Sequence, residues 1–191
     1  MKKKNLLIIP ILLILLLTGC KETKTDAERF AEEYKTMTEY NYYVYKDIDE
    51  IIKILEHGTG AVYLGFPDCP WCGAYVPMLN EVADIGGLEK IYYYNILEDR
   101  KNNTKDYQKI VSILDEYLKY DDEGNKRIFV PAVIFVSKGE IIGFDDETSY
   151  DTKGLKNPED YWTEEEQKDL KNRLSSYISQ IVDNSCTDCN K

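Results

Sequence analysis

The sequence predicts an α/β fold, a central mixed β-sheet flanked by helices on both faces. Three observations predict it. Short apolar runs alternate with stretches of helical period between residues 47 and 118. Two apolar runs then meet at Lys138-Gly139, which makes a hairpin and therefore an antiparallel pair. A last amphipathic segment, opened by Thr163 with Glu166 three residues on, closes the chain as a helix.

The elements follow in order. "KETKT" (21–25) reads as a short polar tether. From Asp26 to about Thr38, Phe30, Tyr34 and Met37 share one side of a helix. "YNYYVY" (40–45) is rich in strand formers. In "DIDEIIKILEHG" Asp47 and Glu50 form a capping box and Gly58 a stop. "AVYLGF" (61–66) suits a central strand, and a helix runs from about Pro70 to Asp84 before Gly86-Gly87. "KIYYYNI" (90–96) is the next strand, and 104–118 is a helix with Tyr107, Ile110, Val111, Leu114, Tyr117 and Leu118 inward. "DDEGN" is a turn, 131–144 the hairpin, and 145–162 a polar, turn-rich stretch. The closing helix runs through Val182, with Leu170, Leu174, Ile178, Ile181 and Val182 as its stripe.

The 191 residues suffice for one domain of ordinary size. A formal charge of −11 and a pI of about 4.7 exclude a phosphate-binding face and hence nucleic acid as a partner. The N-terminus is a targeting segment: Lys2, Lys3 and Lys4 precede an apolar core from Leu6 to Leu17, too short to span a bilayer. It ends in "LTGC", which resembles the lipobox of bacterial lipoproteins. The resemblance implies a signal peptide over 1–19, a diacylglyceryl thioether on Cys20, and a mature protein tethered to the extracytoplasmic face of a bacterial membrane, since two acyl chains anchor stably. The division expected is a tether and N-terminal helix over 20–39, a domain over 40–183, and a flexible tail over 184–191.

Beyond Cys20 four cysteines remain, as two C-x-x-C pairs: Cys69 with Cys72, and Cys186 with Cys189. Outside the cytosol such pairs persist as disulfides. In "GFPDCPWCGAYVP" Cys69 falls at a helix N-cap and Pro70 at the first helical position. The N-cap side chain accepts from the N–H groups of Trp71 and Cys72, and the helix dipole adds positive potential. Both favour the thiolate and lower the Cys69 pKa, whereas Asp68 opposes them. Cys72, one turn on, lies within disulfide reach. An exposed thiolate beside a resolving thiol is equipped for thiol–disulfide exchange. Trp71 in the turn is a candidate substrate contact. A zinc site is the weaker use of these cysteines, so no metal is expected, and His57, the sole histidine, sits where a helix C-terminus favours a cation.

These motifs resemble the thioredoxin superfamily. The C-x-x-C after an apolar strand, Pro77 five residues beyond Cys72, and "VPAVIFVSKGEII" (130–142) carry the likeness over about residues 40–182. With its lipid anchor the chain is similar to thioredoxin-like proteins of Gram-positive bacteria, the bacteriocin-transport accessory type among them. The resemblance implies a thioredoxin-like fold and catalytic roles for Cys69 and Cys72. It further implies a cis-proline at Pro131 packed against the pair, and backbone pairing of Val130 with a bound substrate strand. Two positions depart from the family: Asp68 stands where a tryptophan is usual. Tyr63 stands where a buried carboxylate assists the resolving thiol, which leaves water or another group to move that proton.

The function expected is a membrane-anchored thiol–disulfide oxidoreductase acting on exported proteins, with a membrane or extracytoplasmic redox partner. It needs no cofactor beyond its own disulfide and lipid. The alternative is a redox-inert adaptor or accessory subunit of an export system with the same fold. Cys186 and Cys189 form a candidate second redox pair; a mobile tail would let it exchange with Cys69–Cys72 within one chain.

Overall fold

The structure, a computed structural model of the chain, describes residues 23–149 and 152–187, and the side chains of its last helix as far as 183. The expected signal peptide and Cys20 lie outside the described residues, as does Cys189. Among the described residues no helix is long and apolar enough to cross a membrane.

The chain runs α1 (Asp26–Glu33), β1 (Tyr43–Tyr45), α2 (Ile48–His57), β2 (Gly60–Gly65), α3 (Pro70–Gly86), β3 (Ile91–Asn95), α4 (Leu97–Asn102) and α5 (Lys105–Ile113). A 3-10 turn (Asp115–Tyr117) follows, then a small ribbon of β4 (Lys119–Tyr120) and β5 (Lys126–Arg127). The hairpin β6 (Ala132–Ser137) and β7 (Glu140–Asp145), a short α6 (Pro158–Tyr161) and a long α7 (Glu164–Thr187) complete it. Five strands form one sheet in the order β1-β3-β2-β6-β7. β1, β3 and β2 are parallel, whereas β6 and β7 run antiparallel, so the sheet is mixed. One face carries α2 and α5; the other carries α1, α3 and α7.

Local chemistry explains most boundaries. Asp47 and Glu50 cap α2 reciprocally, and Thr104 caps α5. Gly87 ends α3 at φ 72°, a left-handed cap. Lys138 and Gly139 hold φ of 53° and 80°, which a two-residue type I′ hairpin turn requires. β2 is buried along its whole length, as a central strand of a sheet covered on both faces must be.

Four expectations need correction. The first helix stops at Glu33, not Thr38, because Tyr34 leaves the helix to bury its ring. The boundary at residue 40 is no boundary in packing: Phe30 stacks on Tyr43 at 3.8 Å, so α1 belongs to the core. The helix expected over 104–118 ends at Ile113 and tightens into the 3-10 turn, and α4 was not foreseen. The closing helix, expected to run through Val182, continues through Thr187, since no glycine or proline interrupts 183–187 and each added residue extends the hydrogen-bonded ladder; the rest of the expected tail, 188–191, lies outside the described residues.

Candidate active site at the C-P-W-C turn

Cys69 is the N-cap of α3, and its Sγ accepts the Cys72 N–H at 3.2 Å. Pro70 opens the helix, as the sequence requires. Both cysteines are free thiols; Cys69 is half-buried at the mouth of the site and Cys72 is fully buried beneath it. The Cys69 pKa is lowered to about 7. The Cys72 thiol directed at its sulfur contributes most, the backbone N–H groups of Cys72 and Trp71 add to it, and the Arg100 guanidinium helps; burial opposes them. The exposed Asp68 carboxylate expected to counter this is not among the leading influences. Cys72 is shifted the opposite way. Burial raises its pKa strongly, and its donation to Cys69, then the Cys69 charge, raise it further. At neutral pH the pair therefore divides into a reactive thiolate and a held proton.

Arg100, a cation that helps lower the Cys69 pKa, is a residue that sequence reasoning missed. It sits on α4, its guanidinium lies 5.1 Å from the Phe66 ring centre, and it donates to the Ile128 carbonyl at 3.5 Å. No motif marks it; only the fold brings α4 beside the turn. Trp71 is not in an exposed turn: it is half-buried, edge-on to Tyr161 at 6.0 Å. The Val130–Pro131 bond is cis. Ala132 pairs with Leu64, and continuing that register sets Pro131 and Val130 level with Gly65 and Phe66, at the sheet end where β2 turns into the site. A cleft of about 420 Å³ opens beside Cys69, lined by Tyr34, Thr36, Pro70, Asn157 and Pro158 among others.

The helix carries the Cys186 backbone away from this site, and Cys189 lies outside the described residues. α7 packs along α3, with Tyr161 and Trp162 ahead of it beside Trp71 and Tyr75, and Ile178 against Gly86 at the far end. Cys186 lies two turns beyond Ile178. At 1.5 Å per residue this places it roughly 35–40 Å from Cys69, and the three residues to Cys189 add at most about 11 Å of reach. An intramolecular relay would need α7 to unwind.

Tyr63, the departure noted in the sequence, stands in β2 ahead of the pair. Its ring is fully buried, and its hydroxyl meets no aligned hydrogen-bond partner. Among the described residues no group of three or more His, Cys, Asp or Glu side chains is placed to hold a metal. Comparison of the chain with protein-family models, with curated proteins and with solved structures finds no match. The class defined by fold and site together is thus a mixed α/β protein with a dithiol at a helix N-terminus.

Proposed function

We propose that the chain is a thioredoxin-like, lipid-anchored thiol–disulfide oxidoreductase that exchanges disulfides with exported proteins at the extracytoplasmic face of a bacterial membrane. The observation that carries the reading is the split between Cys69, brought to about 7 at an accessible helix N-cap, and Cys72, buried and held protonated one turn away. The position of Val130 and Pro131 level with the turn supports the docking of an extended substrate strand there.

The chemistry follows. The Cys69 thiolate attacks a substrate disulfide; a Cys69–substrate bond forms, and one substrate sulfur leaves with the electron pair. Cys72 then loses its proton and attacks Cys69 Sγ. The Cys69–Cys72 disulfide forms and the second substrate sulfur leaves as thiolate. Two electrons have passed from the protein dithiol to the substrate. Run in reverse, the same steps oxidise a substrate dithiol.

Replacing the resolving thiol tests this. Cys72→Ser should accumulate mixed disulfides with exported proteins, captured by acid quench and alkylation, and Cys69→Ser should accumulate none. Equal trapping by both, or none by Cys72→Ser, favours the redox-inert adaptor instead. The anchor has its own test: Cys20→Ser should abolish metabolic palmitate labelling and release the protein from the detergent phase.

A further inference from the structure

The buried proton of Cys72 poses a problem that the exchange chemistry does not solve. Before Cys72 can attack, its thiol must ionise in an apolar core, and among the described residues no carboxylate is a leading influence on it. What stands there is a cluster of tyrosines. Tyr63 lies 5.7 Å from Tyr43, 5.8 Å from Tyr93 and 6.4 Å from Tyr75, ring centre to ring centre.

The hydroxyls in this cluster are not equivalent. Tyr43 donates to the Val76 carbonyl at 2.9 Å, and Tyr75 donates to Asp145 at 2.9 Å. Tyr34 donates to the Tyr93 hydroxyl at 3.4 Å. Tyr63 alone of these is buried with no aligned partner, the most costly state for a hydroxyl in an apolar core. Its side chain runs along the strand over Gly65, where a Cβ would collide with the Tyr63 hydroxyl. Gly65 thus leaves the space that lets Tyr63 reach toward the site. Burial holds the Tyr63 phenol well above the usual range, and the charges that Cys72 and Tyr34 carry when ionised raise it further.

We propose that Tyr63 is the positioning residue for the resolving step: its unpartnered O–H turns to the Cys72 sulfur and donates to the thiolate as that forms. The inference rests on the exchange function proposed above. The phenol stays neutral throughout. The Cys72 proton passes to solvent, the Cys72 electron pair forms the bond to Cys69 Sγ, and the substrate sulfur leaves with the pair from the bond that breaks. A neutral donor differs from a carboxylate in one measurable respect. A carboxylate adds its own ionisation to the pH profile of resolution, whereas a phenol adds none over the pH range where the protein works.

Resolution is read directly by preparing the Cys69–glutathione mixed disulfide and following formation of the Cys69–Cys72 disulfide by acid-quenched mass spectrometry. Tyr63→Phe should slow this step about tenfold or more, as loss of a donor to an ionised group does, and displace its pH profile about one unit upward. Alkylation of Cys69 should stay within about twofold of wild type. Tyr43→Phe, which removes an equally buried hydroxyl tied to Val76, should leave resolution within about twofold. Superimposable profiles for Tyr63→Phe and wild type would overturn the proposal. So would equal slowing by Tyr63→Phe and Tyr43→Phe, which would mean a loosened core. A wild-type protein that never resolves the mixed disulfide would instead overturn the exchange function itself.

Discussion

At the scale of single residues, reactivity is set by who shares the Cys69 sulfur. The thiolate is the nucleophile, so the fraction ionised grows as pH rises through the Cys69 pKa. Iodoacetamide modification of Cys69 in the reduced protein should therefore fall off below, and level out above, a midpoint near pH 7. Cys72 in a Cys69→Ser protein should resist modification until far more alkaline pH, because its pKa is raised by burial. Arg100→Gln removes a positive charge that favours the Cys69 thiolate. It should raise the midpoint by about half a unit and slow alkylation at pH 7 about twofold. The cysteine pair was legible in the sequence because its chemistry is local: an N-cap, a first-turn proline and a partner one turn on. Arg100 was not, because its role depends on where α4 packs. Tyr63 was legible only as a departure, an aromatic where an acid was expected.

At the scale of elements, the hairpin turn shows how tightly local geometry is tied to tertiary packing. Gly139 holds φ 80°, its N–H donates to the Gly58 carbonyl at 2.8 Å, and a Cβ there would strike the Glu56 carbonyl. The Lys138 N–H donates to Thr59 Oγ1 at 2.9 Å. The β6–β7 turn is thereby pinned to the α2–β2 corner. Gly139→Ala should destabilise the protein by about 2 kcal/mol or more in urea denaturation, the sum of backbone strain and a backbone collision. The turn residues announced this hairpin because Lys-Gly between apolar runs carries its own geometry. Helix ends were harder to read. Tyr34 lies on the apolar side of the periodic pattern, yet it leaves the helix with φ −100° and ψ 98° to reach the aromatic core. That is a tertiary demand overriding periodicity. Asn184 to Thr187 are polar and looked like a tail, yet they continue α7, since polarity alone does not end a helix.

At the scale of the whole molecule, the N-terminal helix is part of the domain. Phe30 is fully buried, stacked on Tyr43 and Tyr34 and edge-on to Tyr93. Phe30→Ala should cost about 3–5 kcal/mol, measured by urea denaturation, and truncation before residue 39 should expose the core to dye binding. The far end of α7 has the opposite expectation. Because the helix carries Cys186 away from the C-P-W-C turn, deleting 185–191 should leave insulin-reduction turnover unchanged within about twofold. A large loss would restore the relay between the two pairs. The layered α/β architecture was legible because alternating apolar runs and helical periods encode it; the distance from Cys69 to the Cys186 backbone was not, because it depends on which way α7 runs along α3. The account as a whole stands on Cys69 and Cys72 working as one redox couple. Equilibrating the purified protein with glutathione buffers, trapping it by acid and alkylation, and counting modified thiols measures that couple directly. The account predicts a two-electron transition between dithiol and Cys69–Cys72 disulfide, within the roughly −270 to −120 mV that such pairs span; a chain whose two cysteines remain thiols across that range, or whose Cys69 stops at the glutathione adduct, would contradict it.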